Sequence, residues 1–146
     1  MRQGIDIESG TREVAQGWFD ALTSGDINTA LAYLDENVEF INYTPVPGYN
    51  DDMRWIGTYH GRDAAFDSFQ VFVGMCEVEI EELTSLVVDG AEAMGVMHEV
   101  SVVRETGIRF EIEFIQRLTI RDEKIIRWKS YTDPSPIIRA IRGGVQ

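Results

Sequence analysis

From Cys76 to Thr132 the chain alternates apolar and polar residues with three short interruptions, and nothing else in it restricts the fold so tightly. The run reads CEVEIEELTSLVV, then AMGVMHEVSVVR, then Ile108 to Arg121, then Lys124 to Thr132. A period of two is the signature of extended chain with one buried face, and strands joined by short turns must run antiparallel. In the last segment Ile126, Trp128, Ser130 and Thr132 share one side, and Ile125, Arg127, Lys129 and Tyr131 the other. Pro134 and Pro136 end it, because proline cannot donate to a sheet ladder.

The first half changes period. Val14, Trp18, Ala21 and Leu22 recur at helical intervals, and Gly25 is placed to end that helix. Asp26 is placed to cap a second helix, DINTALAYL. NVEFINY (37–43) predicts a short strand, and Ala65, Phe66, Phe69 and Phe72 predict a third helix over 61–74. Three helices followed by long antiparallel strands is an α+β layout with the sheet curled around the helices. PIIRAIR predicts a short closing helix. The segment TPVPGYNDDMRWIGTYHG is a long loop in which Tyr49, Trp55, Tyr59 and His60, with Tyr43 just before it, form either a lid or a self-packed surface loop.

The turn RETGI sets a register. A three-residue loop with a left-handed Gly107 pairs Val102 with Phe110, Val100 with Ile112, His98 with Phe114 and Val96 with Gln116. Hydrophobic residues then fall on one face, while Glu99, Arg109, Glu111 and Glu113 fall on the other. His98 and Gln116 become polar groups on an apolar face, so they are the residues to explain. His98 is the proton-carrier candidate, because its charge changes near neutral pH. The alternative is a core histidine bonded to a backbone carbonyl or to Gln116.

Composition narrows the partners. The chain has 146 residues, enough for one domain with a sizeable core, here about residues 11–140, and a net charge of −12. Residues 1–103 hold 19 acidic and 4 basic side chains; residues 104–146 hold 6 and 9. That balance argues against nucleic acid, which needs clustered Lys and Arg. No apolar run reaches bilayer length, and the opening MRQGIDIESG lacks the pattern of a signal peptide. A single cysteine excludes an internal disulfide, so the expected compartment is the cytoplasm. Two His and one Cys in no ligand spacing predict no metal site, and Gly-rich phosphate motifs are missing, so no cofactor is expected.

VAQGWFDALTSGDINTALAYLDENVEF, GTYHGRDAAFDSF and IRDEKIIRWKSYTD, in that order and spacing, resemble the nuclear transport factor 2-like superfamily, above all its SnoaL-like and ketosteroid-isomerase-like branch. The resemblance implies a cone-shaped curved sheet around an apolar pocket, and commonly a homodimer. It also implies chemistry by position. Asn42 stands where the steroid isomerases carry a carboxylate base, Gln116 where they carry a protonated Asp, and Trp18 where they carry a tyrosine. Ser130 stands where the limonene-epoxide-hydrolase branch carries its water-activating Asp, two residues beyond Trp128. Neither an amide nor an unaided hydroxyl is a base.

The sequence therefore predicts a cofactor-independent isomerase, cyclase or hydratase/hydrolase for an apolar polyketide-, terpenoid- or steroid-like molecule. His98, Gln116 and Asn42 are its candidate catalytic residues, with Trp18, Phe40, Tyr43, Phe114, Trp128 and Ser130 around the substrate. The alternative is a non-catalytic ligand-binding or dimerisation module of the same fold. The charged outer face expected for residues 97–117 would direct any dimer to apolar residues of other strands.

Overall fold

The computed structural model describes residues 2–143, with side chains from Ile7 onward. Helix α1 (Arg2–Thr23) is followed by α2 (Ile27–Ala32), strand β1 (Leu34–Asn42), edge strand β2 (Gly57–His60) and α3 (Arg62–Met75). Four long strands come next: β3 (Cys76–Asp89), β4 (Glu92–Val103), β5 (Arg109–Arg121) and β6 (Lys124–Tyr131), closed by α4 (Ser135–Ile141). They form one curved, unclosed sheet in the order β2-β1-β6-β5-β4-β3. β3 to β6 are antiparallel, whereas β1 joins β6 in parallel.

Helix α1 turns Val14, Ala15, Trp18, Phe19 and Leu22 toward the concave face, where they are buried. Asp26 caps α2 by accepting from the Thr29 backbone N–H (3.2 Å) and the Thr29 hydroxyl (2.7 Å). The long loop is not a free lid. Met53 and Trp55 are buried in the core, Asn50 ties the loop to Val46 and Thr44, and its last residues form β2.

The expected register of the β4–β5 hairpin is wrong by one residue. Val103 closes the turn on Ile108, leaving a four-residue loop, Arg104 to Gly107, with Gly107 at φ 71°. The ladder then pairs Ser101 with Phe110, Glu99 with Ile112, Met97 with Phe114 and Gly95 with Gln116. β5 keeps its expected inner set of Phe110, Ile112, Phe114, Gln116 and Leu118, but β4 turns over. Ala93, Gly95, Met97, Glu99, Ser101 and Val103 face inward; Val96, His98, Val100 and Val102 face outward.

β4 is apolar enough on both faces that alternation alone does not choose between them. Contacts beyond the hairpin decide. Gly95 must face α1, because the Phe19 ring occupies the space a Cβ would fill. The Arg104 backbone N–H and guanidinium bond the carbonyls of Met75 and Val73 at the end of α3, fixing where β4 stops.

β3 carries two bulges, between Val78 and Ile80 and between Leu83 and Ser85. The first shifts the phase of the strand and sets Glu81 directly across from Glu99 on the inner face. A further irregularity between Thr119 and Ile120 makes Ile125, not Ile126, the buried residue at the start of β6.

Candidate functional site

The concave face, α3 and the α1–α2 junction enclose a cavity of about 500 Å³. Its walls are largely aromatic: Tyr43, Trp55, Phe66, Phe69, Phe72, Phe114 and Trp128. On the sheet, two clusters of buried polar side chains interrupt them.

The first is a carboxyl pair. Glu99 is 4% exposed and accepts a hydrogen bond from the Ser101 hydroxyl at 2.8 Å. Burial raises its pKa, while the hydrogen bonds of Ser101 and Glu81 act in the opposite sense. Glu81 keeps part of its surface open to the cavity, yet the surrounding walls exclude most bulk water. Burial first, then the charge of Glu99 and the hydrogen bond between the two, push the Glu81 carboxyl up to about 8. Two carboxyls this close cannot both ionise cheaply, so at neutral pH the pair shares a proton between them.

Tyr43 completes that cluster. Burial, followed by the charges of Glu99 and Glu81, raises its phenol well above the ordinary value, which keeps it a hydrogen-bond donor. Its backbone sits at φ 55°, a left-handed conformation that costs a non-glycine residue about 1–2 kcal/mol. Such strain persists only where the surroundings hold it.

The second polar group is a row across the sheet, in which Asn42 pairs with Ser130 and Ser130 with Gln116. Gln116 Oε1 accepts from two indoles, Trp18 Nε1 at 2.8 Å and Trp128 Nε1 at 3.0 Å. That double acceptance fixes the amide orientation. Gln116 is only 3% exposed, and among the described residues its Nε2 has no hydrogen-bond partner; with no buried side-chain nitrogen orphaned, this NH₂ opens into the cavity. Ser130 donates to Asn42 Oδ1 (3.2 Å), Asn42 Nδ2 donates to Ser68 (3.0 Å), and Ser68 donates to the Trp55 carbonyl (2.8 Å). Phe40 stacks on Trp128 with centroids 3.9 Å apart and holds the indole in place.

The residues expected at the site therefore separate. Gln116, Asn42, Tyr43, Phe114, Trp128 and Ser130 line the cavity. Trp18 and Phe40 are fully buried behind its wall and act through Gln116 and Trp128. His98, expected inside, is on the outer face because of the register shift; its ring bonds Glu82 (2.9 Å) and Glu111 (2.6 Å). The pair that sequence reasoning missed is Glu81 and Glu99. One signal for it existed: the doublet Glu81–Glu82 breaks the alternation of β3, as a bulge does.

Cys76 is free and buried, and burial with the nearby Glu99 charge pushes its thiol up to about 12, leaving it unreactive. Among the described residues no cluster of His, Cys, Asp and Glu fits a metal, and no helix is long and apolar enough to cross a membrane.

The SnoaL-like domain model matches residues 15–128. No curated protein matches the chain. Among solved structures, an NTF2-like protein from Burkholderia xenovorans LB400 is 24% identical, with a TM-score of 0.75 over 92% of this chain and 97% of that one. A protein of ketosteroid isomerase-like fold from Catenulispora acidiphila, in complex with trimethylamine, is 15% identical, with a TM-score of 0.70 over 89% and 92%. An LEH-like epoxide hydrolase of M. tuberculosis is 15% identical, with a TM-score of 0.67 over 94% and 92%. At these identities the likeness is one of fold.

Proposed function

The chain belongs to the SnoaL-like domain family, and from that premise we propose that it is a proton-transfer enzyme, an isomerase or cyclase acting on a largely apolar small molecule. The carrying observation is the Glu81–Glu99 pair, one proton and one charge between them, facing an aromatic cavity. Poised acids and bases in a cleft are what such chemistry requires.

The step balances on these groups alone. Glu99 takes a proton from a carbon beside a carbonyl. The C–H electron pair moves into the conjugated system and onto the carbonyl oxygen, to which Tyr43 donates a hydrogen bond. Glu81 delivers its proton to a second carbon, the electron pair returns, and the proton on Glu99 passes to Glu81. The pair ends as it began, with no electrons gained or lost. Gln116 Nε2 holds an acceptor at the far end of the substrate. The Catenulispora neighbour, solved with trimethylamine, supports reading this fold as a container for small organic molecules.

A second reading, a binding module without chemistry, is favoured by one observation: Asn42, Ser130 and Ser68 satisfy one another, with no base among them. A nitrobenzisoxazole, which opens with a colour change when a carboxylate removes its C–H proton, separates the two. The enzyme should open it roughly 100-fold or more faster than equal acetate. Glu81→Gln with Glu99→Gln should remove that gain, since an amide is no base. No gain in the wild type would leave the binding module.

The same reading includes a homodimer through the outer face of the sheet. The register that turned His98 outward also places Ile80, Val96, Val100 and Ile115 there, making that face less polar than the sequence suggests. A mass of one chain in sedimentation at micromolar concentration would exclude it.

A further inference from the structure

We propose that the ligand of this chamber carries a positive charge: an apolar body with an ammonium group seated at Glu81 and Glu99, and an oxygen acceptor at the opposite end held by Gln116. The inference deepens the proton-transfer reading by naming its substrate class.

The charged side chains that reach the cavity are Glu79, Glu81 and Glu99; among the described residues no Lys, Arg or His lines it. Glu79 is already committed, bonded at both oxygens by Arg109 (2.6 and 3.0 Å). Glu81 and Glu99 are not. Among the described residues the pair accepts from one hydroxyl, Ser101, and forms no salt bridge with a cation. A buried charge is costly without a partner, and here the missing partner has a place to sit. The walls suit it, because they include the aromatic rings of Tyr43, Trp55 and Phe72, and a ring face attracts a cation. The net charge of −12 draws cations and repels anions at a distance.

The unpartnered NH₂ of Gln116 is an independent sign that a ligand is expected. Gln116 lies four residues along β5 from Ile112, which faces Glu99 across the ladder. At ~3.3 Å per residue the two polar ends stand about 13 Å apart along the strand. Phe114 forms the apolar floor between them, with Met97 packed beside it across the ladder. Cation, apolar span, acceptor: the ligand mirrors that order.

Three probes of one shape test this on the full chain at low salt, followed by tryptophan fluorescence: benzyltrimethylammonium, its uncharged isostere neopentylbenzene, and the anion phenylmethanesulfonate. The cation should bind about tenfold or more tightly than the isostere, and the anion should not bind. Glu99→Gln alone should lessen the preference at neutral pH and regain it as pH rises, because burial still holds Glu81 protonated; Glu81→Gln with Glu99→Gln should abolish it at every pH. Equal or tighter binding of the isostere to the wild type overturns the proposal whatever the variants do. So does a preference that survives the double substitution. Turnover of the nitrobenzisoxazole is read separately: its loss with charge selectivity intact would defeat the enzymatic reading and leave this one standing.

Discussion

Glu81 and Glu99 stand directly opposite each other across β3 and β4, on the inner face of the sheet. Like charges facing across a ladder are destabilising, so the pair persists by keeping one proton. The arrangement depends on two local events, the bulge at Glu79 and the four-residue turn after Val103. Removing either would return one of the carboxyls to solvent.

The shared proton makes stability depend on pH. The Glu81 carboxyl rises from 4.5 to about 8 on folding. A carboxyl raised in the folded state stabilises the fold while protonated, fully below about pH 4.5, and that contribution is lost as pH climbs through about 8. The groups facing it are Glu99 and Ser101 on β4 and Tyr43 after β1, and Tyr43 stays neutral throughout. Glu81→Gln cannot ionise. It should therefore gain on the wild type as pH rises, by about 1–3 kcal/mol at alkaline pH once the partial exposure of Glu81 is discounted. Thermal unfolding from acid to alkaline pH reads this, and parallel curves would mean the two carboxyls do not share a proton.

His98 should behave as a surface residue. The Glu111 hydrogen bond, followed by that of Glu82, raises its imidazole pKa. A raised histidine stabilises the fold below its ordinary range and loses that effect as pH rises through the higher value. His98→Ala should lower Tm at acid pH, converge with the wild type at alkaline pH, and leave nitrobenzisoxazole turnover unchanged. A loss of turnover in His98→Ala would restore it to the site.

These residues show what alternation reveals and what it hides. On β5 the face opposite Phe110, Ile112, Phe114 and Leu118 carries Glu111, Glu113 and Arg117 with Ile115 its one apolar member, so only one face could be buried and its inner set was legible. On β4, Val96, Val100 and Val102 compete with Ala93, Met97 and Val103 for the inside, and the decision came from Phe19 on α1 and the end of α3, far away in sequence. Gln116 was recognisable as a polar group on an apolar face. Glu99 was hidden by the same one-residue slip that promoted His98. Trp55 and Met53 lie in a loop without periodicity, so their burial left no pattern to read.

Gln116 should prove a structural hub as well as a ligand contact, and two substitutions separate these roles. Its Oε1 is the acceptor for both Trp18 and Trp128, two indoles that are almost wholly buried. Gln116→Leu fills similar space but leaves both N–H groups without a partner, at about 1–3 kcal/mol for each. The expected loss is therefore about 2–6 kcal/mol in urea unfolding, with a shift in tryptophan emission as the indoles lose their hydrogen bonds. Gln116→Glu keeps an acceptor for both indoles while removing the NH₂ that faces the cavity. Compared at mildly acid pH, where the new carboxyl buries no charge, it should cost less stability than Gln116→Leu, yet at neutral pH it should weaken any ligand whose acceptor oxygen that NH₂ would hold. Equal destabilisation by both substitutions would mean that the indole hydrogen bonds contribute little and that Gln116 is held by shape alone.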